Sequence, residues 1–186
     1  YIARYEASYG SGYNKSASSM KDQLQNAKPL SKPSTAITSS GMSYTTGYLW
    51  KVITQPNAAL VSKNMYVDNS YVESDLANSY AWDTAIVYIQ KMGYTDYANA
   101  SCDTTENKTI MNTGSTGDEK CKIFDMAGNA PEWTTEYSSY VSTYASPCTY
   151  RGGYYYNSKY CTCVRFKGAP TYSSMTFSFR TIFYVK

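Results

Sequence analysis

Tyrosine is the residue that most restricts what this chain can fold into. There are 22 in 186 residues, and ten of them fall in the last 50. A phenol is bulky and apolar along its ring and polar at its tip, so it suits half-buried, pleated positions with the hydroxyl turned to water. In residues 137–186 these rings are interleaved with Ser, Gly and Pro. Such punctuation leaves room for short strands joined by Ser/Tyr loops. The same 50 residues carry six basic groups (Arg151, Lys159, Arg165, Lys167, Arg180, Lys186) and no acidic ones, a net of +6. Residues 1–136 carry 11 basic and 14 acidic groups, a net of −3.

A basic, aromatic C-terminal third admits three readings. It could stack single-stranded nucleic acid, it could form a Tyr/Ser contact surface of the kind antibody loops use, or it could be a Tyr-rich sheet with wet phenol tips. Its basic residues are spread over 36 positions without a cluster, which speaks against nucleic acid. Apolar residues make up 42% of the chain and charged ones 17%, a folded composition of the size of one domain, residues 1–186. No apolar run approaches the ~20 residues of a membrane helix, so no membrane insertion is expected. The sequence opens on Tyr1 with no signal-peptide pattern, which reads as a processing boundary. Histidine is absent. That removes Ser-His, Cys-His and His-metal chemistry.

The elements are of mixed type. Residues 1–8 alternate as a strand, and short helices are predicted near 18–26 and over 55–64, the latter with Pro56 in its first turn. The clearest helix runs over 74–92, with Ser74 as its N-cap and Gly93 as its stop. Trp82, Ala85, Ile86 and Ile89 fall on one face and should be core. Residues 94–120 form a polar loop, and 122–125 a short strand. Residues 176–185 form a closing strand in which Phe177, Phe179, Thr181, Phe183 and Val185 alternate. Arg180, inside that apolar strand, needs a buried acceptor. The fold class is α+β.

Five cysteines leave at least one unpaired. Cys102–Cys121 and Cys121–Cys148 are both open as disulfides. Cys161 and Cys163, read on an extended segment, would face the same way without bonding each other. One C-x-C without histidine is a poor zinc site.

Three segments, in order, resemble the formylglycine-generating-enzyme (sulfatase-modifying factor) family. Ile123-Phe-Asp-Met-Ala-Gly-Asn-Ala-Pro-Glu-Trp-Thr134 resembles its D-x-x-G-N-x-x-E-W signature. Arg151-Gly-Gly-Tyr154 resembles its R-G-G turn, and Ser178-Phe-Arg180 stands where the family ends in G-F-R. Upstream, Tyr5-Glu6 is similar to the opening strand's Y-E pair, and Ala81-Trp-Asp83 lies where the second helix carries a Trp. The resemblance implies a C-type-lectin-like fold of that family's type, two helices packed on short irregular antiparallel strands. It also implies a calcium set of the Ala127, Gly128 and Ala130 carbonyls with the Glu132 carboxylate, a set of hard oxygens. On the residues themselves a metal-free turn, with Asn129 and Gly128 supplying the tight geometry and Trp133 in the core, is the favoured reading.

The family's enzymes oxidise a substrate cysteine with two copper-binding thiols beyond the R-G-G turn. Counted from Arg151, those positions hold Asn157 and Thr162 here. A formylglycine-generating oxidase is therefore the alternative, and a binding domain without catalytic residues is the expectation. Residues 154–176 resemble the variable region of a diversity-generating-retroelement protein. In such systems template adenines are randomised, so a Tyr codon yields Tyr, Phe, Ser or Cys, the types abundant at 154–176. The resemblance implies a ligand surface of Tyr155, Tyr156, Asn157, Ser158, Lys159, Tyr160, Thr162, Lys167, Tyr172, Ser173, Ser174 and Met175. Its lack of acidic groups favours an anionic or neutral partner, a protein or a surface glycan, met outside the cell on a bacterial surface or a phage virion.

Overall fold

The computed structural model describes residues 1–36, 44–101, 109–139 and 146–186. Cys102, and with it the Cys102–Cys121 alternative, lies outside them. In chain order the elements are β1 (Ser8–Ser11), α1 (Met20–Leu24), β2 (Lys28–Leu30), α2 (Gln55–Lys63), β3 (Val72–Leu76), α3 (Ser79–Lys91), a 3-10 turn (Tyr97–Asn99), β4 (Glu119–Lys120), β5 (Ile123–Phe124), β6 (Glu132–Tyr137), β7 (Cys148–Arg151), β8 (Arg165–Gly168), β9 (Ser178–Phe179) and β10 (Thr181–Val185). Among the described residues no helix is long and apolar enough to cross a membrane.

The helices begin where local chemistry caps them. The Ser19 hydroxyl accepts from the Asp22 amide at 3.1 Å at the start of α1, and Pro56 sits in the first turn of α2. α3 starts at Ser79, capped by the Asn78 side chain, which accepts from the Ala81 amide at 2.8 Å. The helix expected from 74 therefore starts five residues later. Val72–Leu76 is instead taken as a strand by β10, with Thr181 opposite Leu76 and Val185 opposite Val72. The apolar stripe holds: Trp82, Ala85, Ile86 and Ile89 are all buried. The helix stops at Gly93, whose φ of 108° lies in the left-handed region.

The main sheet has four strands in the order β8-β7-β6-β9. β6 pairs antiparallel with β7 and parallel with β9, so Glu132 lies opposite both Arg151 and Ser178. The expected single strand over 176–185 is broken at Arg180 into β9 and β10. Its alternation also fails, because residues 177–182 are all buried. This stretch is central. The N-terminal segment runs along it, with Ala3 and Ala7 amides donating to the Thr181 and Phe179 carbonyls, while β3 and β6 take the other side. Residues 1–7 dock in this way, and the first strand proper is Ser8–Ser11.

Two aromatic-rich cores result. One gathers Trp50, Trp133, Tyr150, Phe177 and Phe179; the other packs Trp82, Ile86, Ile89, Tyr97, Ile123 and Met126 beneath α3. Trp82 and Trp133 are fully buried, and each indole N–H finds a carbonyl, Thr162 at 3.0 Å and Ile53 at 2.8 Å.

Candidate functional site

Residues 154–176 emerge from the end of β7 and return to the core at Phe177. Both ends are clamped. At the entry, a Cβ on Gly153 would lie 2.6 Å from the Tyr160 carbonyl and 2.9 Å from that of Ala127. Only a glycine lets those backbones meet. Gly152, at φ 82°, packs against the Met126 carbonyl and the Trp82 ring.

Arg151 is fully buried. Its guanidinium donates to Asp83 on α3 at 2.7 Å and to Glu136 on β6 at 3.2 Å, and Arg165 on β8 closes the ring by bonding the same two carboxylates. Arg151 also donates to the Val164 and Cys163 carbonyls, and its guanidinium lies 5.7 Å from the Trp82 ring. This one residue therefore ties the departing strand to the middle of the loop and to α3. At the exit, the Ser178 amide donates to Pro131, its hydroxyl donates to Trp50, and the Val52 and Phe177 amides both donate to the Ser174 carbonyl.

Beneath the C-terminal G-F-R-like segment, Arg180 is fully buried and bidentate to Glu132, at 2.7 and 3.0 Å. It donates further to the Ala3 and Phe124 carbonyls. Burial works against its charge, but Glu132, Glu6 and Asp125 outweigh it and hold Arg180 above its usual range. Both Glu132 oxygens accept from Arg180. Ala127, Gly128, Ala130 and Glu132, the set expected to hold calcium, are all buried. The turn is organised by a different acid. Glu6 accepts from Asn129 Nδ2 at 2.7 Å, from the Ala130 amide at 3.0 Å and from the Thr113 hydroxyl at 2.8 Å. Asn129 supplies the left-handed geometry, at φ 60°.

On this frame stands a layer of rings. Tyr150, Tyr154 and Phe177 are buried and form the floor, with the two phenols bonded at 3.2 Å. Phe166 stacks on Tyr150 at 5.2 Å, and Tyr160 meets Phe166 edge-on at 4.7 Å. Tyr156 lies 5.0 Å from both Tyr154 and Tyr155, and Tyr172 packs edge-on against Phe177 at 5.3 Å. Tyr156 is 53% exposed and Tyr172 is 47% exposed. Burial pushes the Tyr156 hydroxyl upward, and the neighbouring Tyr155, Tyr160 and Tyr172 hydroxyls add to it. The Tyr156 phenol is therefore a neutral hydrogen-bonding group at physiological pH.

Of the twelve residues expected on the surface, Tyr156, Ser158, Lys159, Lys167, Tyr172, Ser173 and Met175 are exposed, and Tyr155, Asn157, Tyr160 and Ser174 are half-buried. Thr162 is the correction. It is fully buried, and its amide and hydroxyl both donate to the Ala100 carbonyl, at 2.8 and 3.0 Å. The buried floor and the ion ring have no counterpart among the residues expected from sequence. Asp83 adjoins Trp82, but its partners, Arg151 and Arg165, are 68 and 82 residues away and carried no local signal.

The cysteines also depart from expectation. Cys121 and Cys148 are both free thiols in different cores, which removes the Cys121–Cys148 alternative. Cys161 and Cys163 lie in a tight turn, not on an extended segment, and their sulfurs are 3.0 Å apart.

This arrangement, short irregular strands and three helices among the described residues, is the C-type-lectin-like fold. Among solved structures the chain is similar to the Treponema denticola variable protein 1, at 11% identity and a TM-score of 0.58, over 95% of this chain and 93% of that one. It is also similar to the crystal structure of CarF, at 14% identity and a TM-score of 0.51, over 71% of this chain and 66% of that one. No protein-family model and no curated protein matches the sequence.

Proposed function

We propose that this chain is a non-catalytic ligand-binding domain whose face over 154–176 is diversified by a retroelement. The observation that carries the reading is the ring layer. Exposed phenols of Tyr156 and Tyr172, with half-buried Tyr160 between Tyr154 and Phe166, stand on a buried aromatic floor whose two ends are clamped. Tyr offers large contact area with two torsions to freeze, and Ser and Asn add adaptable hydrogen bonds. A rigid frame lets the exposed residues change without disturbing the core. The likeness to a variable protein along nearly the whole chain supports the same reading. The partner is a protein or a surface glycan, neutral or anionic, met outside the cell on a bacterial surface or phage virion. The two positions where the formylglycine-generating enzymes place copper thiols hold half-buried Asn157 and buried Thr162, which supports binding over oxidation.

Sequencing the locus across a population tests this. A template repeat matching codons 154–176 and differing only at adenines, beside a reverse transcriptase gene, is the expected result. Invariant codons with no template, or turnover of a Cys-x-Pro-x-Arg peptide to formylglycine with added copper, would overturn it.

A further inference from the structure

Cys161 and Cys163 occupy the first and third positions of a hydrogen-bonded turn, in which the Val164 amide donates to the Cys161 carbonyl at 3.1 Å. The turn folds the two side chains onto each other, with Sγ atoms at 3.0 Å. Its backbone is fastened from several sides. Thr162 bonds Ala100 twice, the Cys163 amide donates to Ala98 at 3.1 Å, and Trp82 donates to the Thr162 carbonyl at 3.0 Å. Both cysteines are half-buried, so solvent reaches them. Among the described residues no group of three or more metal-ligating side chains forms.

We propose that Cys161 and Cys163 form a thiol–disulfide site, which closes to an intramolecular disulfide on reaction with a low-molecular-weight disulfide of the glutathione type. One thiol, as its thiolate, attacks a sulfur of the external disulfide. The external S–S bond breaks, a mixed disulfide forms and one small thiolate leaves. The second cysteine then attacks the protein-side sulfur, forms the Cys161–Cys163 bond and expels the second small thiolate. Two protein thiols are oxidised and one external disulfide is reduced to two thiols, which take up the two protons released. The fastened turn holds the second thiol beside the first, so the closing step is intramolecular at high effective concentration. Closure sits directly after Tyr160, in the middle of the 154–176 segment. The inference is independent of what the aromatic face binds, and these cysteines are not at the positions of the family's copper thiols.

The test uses the chain with Cys102, Cys121 and Cys148 replaced by Ser, equilibrated in a mixture of oxidised and reduced glutathione. The expected product has lost two hydrogens, carries no glutathione and yields one internally linked peptide on non-reducing mapping. With Cys163→Ser added, one glutathione stays on Cys161. In the reduced state the pair should retain phenylarsine oxide against excess monothiol, and Cys163→Ser should weaken that retention by about a hundredfold. Two glutathiones on the pair, or two thiols still open to alkylation in a mixture that glutathionylates the single-cysteine variant, would overturn the proposal. Should the serine background lower thermal stability, mapping of the unsubstituted chain reads the same pairing, and a bond from either cysteine to any other cysteine overturns it.

Discussion

Arg180 has no exposed surface and makes four side-chain hydrogen bonds, two of them to the equally buried Glu132. Removing one partner of such a pair strands the other's charge. Arg180→Met is therefore expected to cost about 3–5 kcal/mol, read as a fall in the denaturant midpoint, while Arg180→Met with Glu132→Leu should recover much of it. A double variant no more stable than the single would show that the pair's stranded charge is not the source of the loss. Glycines make a second contrast at this scale. Gly153→Ala drives a Cβ into two carbonyl oxygens and should cost about 1–3 kcal/mol through displaced backbone. Gly93→Ala meets nothing within 4 Å, so it should lose only the roughly 1–2 kcal/mol of a left-handed backbone.

At the scale of elements, α3 joins the frame to the ring layer. Its buried stripe carries Trp82, which holds the Thr162 carbonyl, and the next residue, Asp83, holds Arg151 and Arg165. The position of its first turn rests on the Asn78 cap. Asn78→Ala should cost about 1 kcal/mol, visible as a lower thermal midpoint, and Asn78→Asp should retain most of that stability. The floor and the face of the ring layer should separate cleanly. Phe177→Ala opens the buried floor and should cost about 3–5 kcal/mol. Tyr156→Ala and Tyr172→Ala remove half-solvated rings and should each stay within about 1 kcal/mol of the parent. Equal losses for floor and face would show that the phenols are core, not contact surface.

Over the whole molecule, one cluster of buried acids links both ends of the chain to its middle. Glu6 lies near Asp125 and Glu132, and burial first, then those two charges, pushes its carboxyl well above the usual value of 4.5. Burial likewise raises Asp125 and, against the pull of Arg180, Glu132. A raised folded-state value means the folded chain binds the proton more tightly than the unfolded one. The associated stability is complete below the ordinary carboxyl values, 3.8 for Asp125 and 4.5 for the two glutamates, and fades as pH rises through the folded-state values. Denaturant midpoints should thus fall with rising pH above those values, and Glu6→Gln should flatten the trend. An unchanged slope in that variant would remove Glu6 as its source.

What the residues determined by themselves was local or compositional. The 3.6-residue spacing of Trp82, Ala85, Ile86 and Ile89 marks a buried helical face whatever surrounds it, and an arginine amid apolar strand residues demands a carboxylate wherever it lies. The ordered motifs carried the fold, because paired glycines and the Gly-Asn turn report backbone geometry directly. Only tertiary structure decided where α3 begins, since residues 72–76 have no strand preference that outweighs a helix until β10 lies beside them. It likewise paired Glu132 with Arg180, buried Thr162 between half-buried neighbours, and turned a C-x-C from a strand edge into a thiol contact. Each of these outcomes depends on which distant backbone supplies the next hydrogen bond, and sequence spacing holds no record of that.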